Sequence, residues 1–258
     1  ALGIANRGTW VYLYGTETGM KRRSRDLAFS LAGVDQRKWA SSNQLRNERQ
    51  HPPAALIEWI QRARRRLHHA NIKLAELPLI VNNAGRSVDE VAAEIRQYHR
   101  EGRCGIAFAD YLQDFVASGA VASDSGSQTV YASRILKELA SQLCIPVVVG
   151  AQRTGEQELN GQLAGATERT IAGLVNRLIP NQVQWSSRAK HDAEEVFSLY
   201  RRDYYADLYP HIEPYLPGRE GHITIVARKR RAGPLARWEM PFTGPTKWVG
   251  DRPRDMAL

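Results

Sequence analysis

The sequence predicts an α/β domain: a mainly parallel β-sheet flanked by helices, with antiparallel strands added at its C-terminal edge. Three observations carry this. Short apolar runs without polar alternation recur at Thr9–Tyr14 (TWVYLY), Leu77–Val81, Gly105–Ala109 (GIAFA) and Cys144–Val149 (CIPVVV), the habit of strands buried on both faces. Segments of helical periodicity lie between them. Near the C-terminus the alternation stops and strand follows strand: Glu195–Tyr200, His222–Ala227, Leu235–Phe242 and Lys247–Val249.

Each element has a local reason. Ala1–Arg7 (ALGIANR) reads as part of a helix, and a first residue other than Met suggests a fragment. The β-branched and aromatic run Thr9–Tyr14 reads as a strand that ends in the turn Gly15–Gly19 (GTETG). Met20–Leu31 reads as a helix with a basic start, Lys21-Arg22-Arg23. A second helix covers Pro53–Ala70, with Leu56, Trp59 and Ile60 as its apolar face and Arg62, Arg64, Arg65 and Arg66 as its basic one. Ser87 followed by Asp89 and Glu90 marks a helix N-cap with an acidic first turn, opening a helix over Val88–Arg100. That helix feeds Cys104–Gln113 (CGIAFADYLQ), where an apolar run stops abruptly at Asp110. Ala117–Gln128 (ASGAVASDSGSQ) is small and polar, hence a loop. The helix Val130–Leu143 then leads to the strand Cys144–Val149. Thr154–Gln182 reads as a second glycine- and glutamine-rich loop, with an amphipathic pattern over Ala166–Ile179. No repeat or linker divides the chain, so residues 1–258 are expected to form a single domain.

Composition narrows the function classes. A chain of 258 residues with 43% hydrophobic content has enough apolar material for one large core. Lys and Arg number 36 against 27 Asp and Glu, a net charge of +9, which favours a polyanionic partner such as nucleic acid. Cys104 and Cys144 fall in or beside predicted strands and are expected to be reduced core thiols of a cytoplasmic protein. No apolar run approaches the ~20 residues that cross a bilayer, and no signal-peptide pattern opens the chain; no membrane association is expected.

In open parallel sheets, ligands bind beyond the carboxyl ends of the strands. Three such ends carry polar groups: Glu17, Asp110 and Gln152. A carboxylate at Asp110 is placed to hold Mg²⁺, a Glu can activate water, and a Gln can sense a phosphate oxygen, a set that suits nucleoside triphosphate hydrolysis.

The order of motifs resembles the RecA-like ATPase domain of DnaB-type replicative helicases over nearly the whole chain. The matching segments are VYLYGTETGM with AGVDQRKWASS, GIAFADYLQDF, SRILKELASQLCIPVVVGAQR, HDAEEVFSLYRRDYY and HITIVARKRRAGPLARWEMPFTGPTKWVGD. The resemblance implies that Glu17 polarises the attacking water, that Asp110 is the Walker B aspartate holding Mg²⁺, directly or through water, and that Gln152 senses the γ-phosphate of ATP. It implies that Lys229 and Arg231 form the finger inserted into a neighbouring subunit's site. It places single-stranded DNA contacts in or beside the loops Ala117–Gln128 and Thr154–Gln162, at Ser118, Gly119, Ser125, Arg153 and Gly155. A homo-hexamer, a primase and a helicase loader are the implied partners.

Departures accompany the likeness. The family's phosphate-binding loop, GxxxxGK[ST], belongs just before the helix at Ala1 and is absent, which reads as truncation; without its Lys and hydroxyl the fragment should bind ATP poorly. The glutamate turn reads GTETGM where the family has a serine–leucine–glutamate–methionine run, and Arg153 replaces an apolar residue. Plainer readings stand beside each assignment. A strand-terminal Asp is often a turn residue, Glu17 between two glycines could be an exposed turn, and the run Arg228–Arg231 could be a solvated face. Lys21-Arg22-Arg23 and Arg62–Arg66 are read as solvated helix faces, His68-His69 as no zinc site, and Trp238, Phe242 and Trp248 as packing of the terminal hairpin. A RecA-type recombinase or regulatory ATPase, and a hydrolysis-dead DNA-binding ring protein, are the alternatives to a helicase motor.

Overall fold

The computed structural model describes residues 1–15, 20–47, 53–82, 87–115, 125–151, 187–208, 210–216, 218–246 and 248–249. Glu17, Ser118, Gly119, Gln152, Arg153 and Gly155, and the pattern over Ala166–Ile179, lie outside these residues.

Four strands, β1 (Val11–Gly15), β2 (Leu79–Asn82), β3 (Ile106–Asp110) and β4 (Val147–Val149), form a parallel sheet in the order β2-β1-β3-β4. All three pairings are parallel, with Gly15 opposite Asp110 at the carboxyl ends of β1 and β3. Helices cover both faces, as parallel crossovers require. On one side α5 (Val88–Arg100) and α6 (Ser125–Leu143) pack on Tyr12, Tyr14, Ala107 and Ala109 through Val91, Ile95, Leu136 and Leu139. A second cluster joins α2 (Met20–Ala32), α3 (Gln36–Asn47) and α4 (Ala54–Glu76) with the short α1 (Leu2–Ala5). Adjacent β2 residues divide between the layers, Ile80 joining the first cluster and Leu79 the second.

Local sequence accounts for the helix ends. The predicted start of α5 is a capping box: the Glu90 amide donates to Ser87 Oγ at 3.3 Å, and the Ser87 amide donates to Glu90 Oε2 at 2.8 Å. The C-terminal strands β5 (Glu195–Arg201), β6 (His222–Arg230), β7 (Arg237–Thr243) and β8 (Trp248–Val249) are antiparallel, as expected. Among the described residues they pair with one another as a second sheet and not with β4. The helix α7 (Ser187–Asp192) ties this sheet to the first body, where Ser133 Oγ of α6 donates to the buried Asp192 carboxylate at 2.7 Å. A further helix, α8 (Arg202–Leu208), follows β5.

Several expectations change. The helix α3 carries no strong apolar stripe, so periodicity does not mark it. The helix α4 runs on to Glu76, beyond the expected Ala70. Ser125 begins α6, so residues 125–128 of the predicted loop are helical. Cys104 is buried, but Cys144 is exposed; it follows the last residue of α6 with φ 52°, the left-handed position that ends many helices. Trp238 is 40% exposed, and its ring sits tilted beside that of Phe197 with centroids 6.1 Å apart.

Candidate functional site

The carboxyl edge of the parallel sheet gathers Gly15, Asp110 and Gly150 within one neighbourhood. Asp110 ends β3, and its side chain remains 56% exposed. The chain beyond β4 stays paired to β3: the Gly150 amide donates to the Ala109 carbonyl at 2.8 Å, and the Leu112 amide donates to the Gly150 carbonyl at 2.8 Å. A Cβ at Gly150 would stand 3.1 Å from Asp110 Oδ1, so glycine there leaves the carboxylate its space. Behind the site, Tyr14 stacks on Phe115 at 5.0 Å, fixing the end of β1 against the turn after β3.

One residue of this neighbourhood is missed when the sequence is read by charge alone. Composition groups Arg23 with Lys21 and Arg22 as a solvated helix face. Lys21 and Arg22 are exposed, but Arg23 is 8% exposed, and its Nη2 lies 3.8 Å from Asp110 Oδ2. The signal that could find it is spacing. Arg23, Leu27 and Leu31 repeat at four residues and share the inward face of α2.

The carboxylate described at this edge fits magnesium. Among the described residues no group of three or more His, Cys, Asp and Glu side chains converges. Mg²⁺ typically takes one or two carboxylates and completes its shell with water and substrate phosphates, which a single exposed Asp110 at the strand edge can serve. Arg62, Arg64 and Arg65 on α4 are exposed, as expected of a solvated face.

The basic run at the end of β6 divides into separate tasks. Lys229 donates to the carbonyls of Lys190, His191 and Ala193 at 2.9, 2.9 and 2.6 Å. It thereby caps the C-terminus of α7, where a cation is favoured. Burial, with the neighbouring Arg231 charge, pushes its ammonium below the usual lysine range. Arg230 pairs with Glu195 at 3.1 Å. Arg231 is exposed and paired with Glu194 at 2.9 Å, both side chains more than half accessible.

A strand-end carboxylate on a parallel sheet, a glycine-cleared edge and a basic strand after it are now in place, and comparison with known proteins decides among the folds that share them. A model of the DnaB-like helicase C-terminal domain matches residues 36–249. The chain belongs to that family. It is 26% identical over 163 residues, 63% of its length, to the replicative DNA helicase DnaC of Bacillus subtilis (strain 168), and this stretch is 31% of that protein. Against the replicative DNA helicase DnaB of Geobacillus stearothermophilus it is 26% identical over 178 residues, 68% of its length and 33% of that protein. The chain thus spans about a third of these relatives. Among solved structures, one described as an ATPase domain superposes with a TM-score of 0.71 at 18% identity, covering 97% of this chain and 77% of that one. A DnaB-like replicative helicase, described with its interactions with primase, superposes at 0.69 and 19% identity, covering 95% and 52%. These likenesses establish the RecA-like helicase ATPase fold that the sequence resemblance implied. Among the described residues no helix of this DnaB-like domain is long and apolar enough to cross a membrane.

Proposed function

We propose that this domain is the ATP-hydrolysing motor of a ring-shaped, homo-hexameric DNA helicase that uses Mg²⁺ and moves on single-stranded DNA during replication. The observation that carries the reading is Asp110, an open carboxylate at the carboxyl end of β3, in a DnaB-like helicase domain. In this reading Asp110 holds the metal, which when bound supplies charge neutralisation on the transferring phosphoryl group. Glu17 and Gln152 each follow a strand-end glycine, Gly15 and Gly150, by two residues. Two residues carry the backbone no more than about 7 Å, a spacing that supports assigning both to the edge Asp110 occupies. Glu17 orients and deprotonates the attacking water, and Gln152 contacts the terminal phosphate.

Arg231 serves a neighbouring subunit's site, in keeping with its exposure. Lys229, tied to three carbonyls of its own chain, holds the base from which Arg231 projects. Ser118, Gly119, Ser125, Arg153 and Gly155 are assigned to the DNA strand, whose backbone charge matches the +9 of the chain. A primase and a loader are the further partners this reading implies.

The test is Glu17→Gln in the full-length protein. Nucleotide binding should persist while hydrolysis falls by ~10²–10⁴, the usual range for a lost general base. Unchanged turnover would remove Glu17 from the mechanism. Mixing Arg231→Ala subunits into wild-type rings should depress hydrolysis more than in proportion to the mutant fraction; strict proportionality would exclude action across subunits.

A further inference from the structure

Arg23 is the charged group that the proposed mechanism leaves without a task. It stands in the first turn of α2, buried, after the exposed Lys21 and Arg22. A guanidinium withdrawn from water needs acceptors for its five N–H groups. Among the described residues its Nε has no hydrogen-bond partner, and its one ion pair is the 3.8 Å approach to Asp110, beyond hydrogen-bond reach. The guanidinium lies against Gly15, where any Cβ would overlap it. Glycine at the end of β1 is therefore what lets this cation reach the strand ends. Unspent donor capacity thus sits beside the carboxylate, at the edge where parallel sheets bind ligands.

We infer that Arg23 is a phosphate-binding cation supplied by the domain's own chain, and that it makes metal binding at Asp110 depend on nucleotide. The inference rests on the nucleotide site proposed above. Without nucleotide, Arg23 neutralises the Asp110 carboxylate, and a divalent ion arriving there meets a buried positive charge that opposes it. A nucleotide's terminal phosphates reverse this. Their oxygens neutralise both cations together and give the planar guanidinium the paired acceptors it lacks. Unlike Arg231, Arg23 acts within one subunit, so its effect does not require a ring.

Binding to the full-length protein tests this without reference to turnover. Free Mn²⁺ is measured by its electron paramagnetic resonance signal, with and without a non-hydrolysable ATP analogue, for wild type, Arg23→Met, Arg23→Lys and Asp110→Asn. Removing one opposing charge should tighten nucleotide-free Mn²⁺ binding about five- to tenfold in Arg23→Met. Removing one charge-assisted contact should weaken analogue binding about tenfold in the same variant. Arg23→Lys should behave as wild type toward bare Mn²⁺ and recover only part of the analogue affinity, because an ammonium cannot form the planar fork. Asp110→Asn should lose Mn²⁺ binding whatever stands at position 23. If Arg23→Met changes neither affinity while Asp110→Asn abolishes Mn²⁺ binding, the role of Arg23 is wrong and the site stands. If Asp110→Asn changes neither, the nucleotide site itself is wrong. Should Arg23→Met not fold by circular dichroism, Arg23→Lys decides, and analogue affinity equal to wild type overturns the inference.

Discussion

Among the described residues the parallel sheet and the antiparallel sheet each have four strands, but they bury their side chains differently. In the first, Val11, Tyr12 and Tyr14 of β1 are at most 1% exposed, because helices cover both faces. The second keeps Tyr200, Ile223 and Ala227 inside, while Phe197, Leu199, Trp238 and Met240 remain between 36% and 61% exposed. A sheet that shows large apolar side chains and an exposed Arg231 on its chain is suited to meet another protein surface. The proposed ring supplies one, a second copy of the chain. The centre of the first sheet is covered within the subunit, although Val148 at its β4 edge is 45% exposed; the second sheet exposes apolar side chains on β5 and β7.

Matched truncations test that contrast most forcefully. Leu139→Ala removes a fully buried side chain from α6 and should cost ~2–5 kcal/mol of unfolding free energy in urea denaturation. Leu199→Ala removes the same atoms from the open sheet face and should stay within about 0.5 kcal/mol. Comparable losses at the two positions would mean that the Leu199 face is covered in solution. In that event the loss should shrink on dilution below the assembly concentration.

A smaller effect is expected where the sheets are tied together. Lys229→Met keeps much of the stem but deprives three carbonyls at the end of α7 of their donor. The loss should be ~0.5–1.5 kcal/mol, the net range for hydrogen bonds whose acceptors are part-buried or exposed, read as a lowered unfolding midpoint. The same variant with Arg231 intact also separates two roles for the pair. If its hydrolysis in mixed rings matches wild type, the trans effect belongs to Arg231 alone.

The contrast also explains what is legible in the sequence. The parallel sheet is visible because its strands are short continuous apolar runs, β1 being the most deeply buried, and β1, β2, β3 and β4 fall within or beside the runs at Thr9, Leu77, Gly105 and Cys144. Asp110 is visible for the same reason: a charge ends such a run abruptly. Arg23 is hidden because composition places it in a basic triplet, and only the helical register separates its inward direction from that of Lys21 and Arg22. The motif presents Lys229 as one of two projecting cations, whereas the carbonyls that hold it belong to α7 and the residue after it, some forty positions earlier. Tertiary pairing across such distances leaves no local trace. The exposed face of the second sheet is equally unreadable, since Phe197, Leu199 and Trp238 have the composition of a covered core.

The smallest expected effect concerns the inner face of the open sheet. Tyr200 is 1% exposed and stacks on Tyr205 at 5.3 Å, yet among the described residues its hydroxyl has no hydrogen-bond partner. Burial pushes its phenol up to about 12, and the Tyr205 hydroxyl adds to the rise. Below about pH 10, the ordinary tyrosine value, the phenol is neutral in both folded and unfolded chains. As pH rises from there toward 12 the unfolded chain releases the proton while the folded one keeps it, so stability falls across that window. Tyr200→Phe removes the group and should abolish this part of the alkaline loss. At pH 7 the variant should match wild type or exceed it by up to about 1 kcal/mol, because an unsatisfied buried hydroxyl is removed with little change in packing. Thermal unfolding at pH 7, 10 and 11 would show both effects. A clear destabilisation at pH 7 would mean that the hydroxyl is satisfied by a bound water.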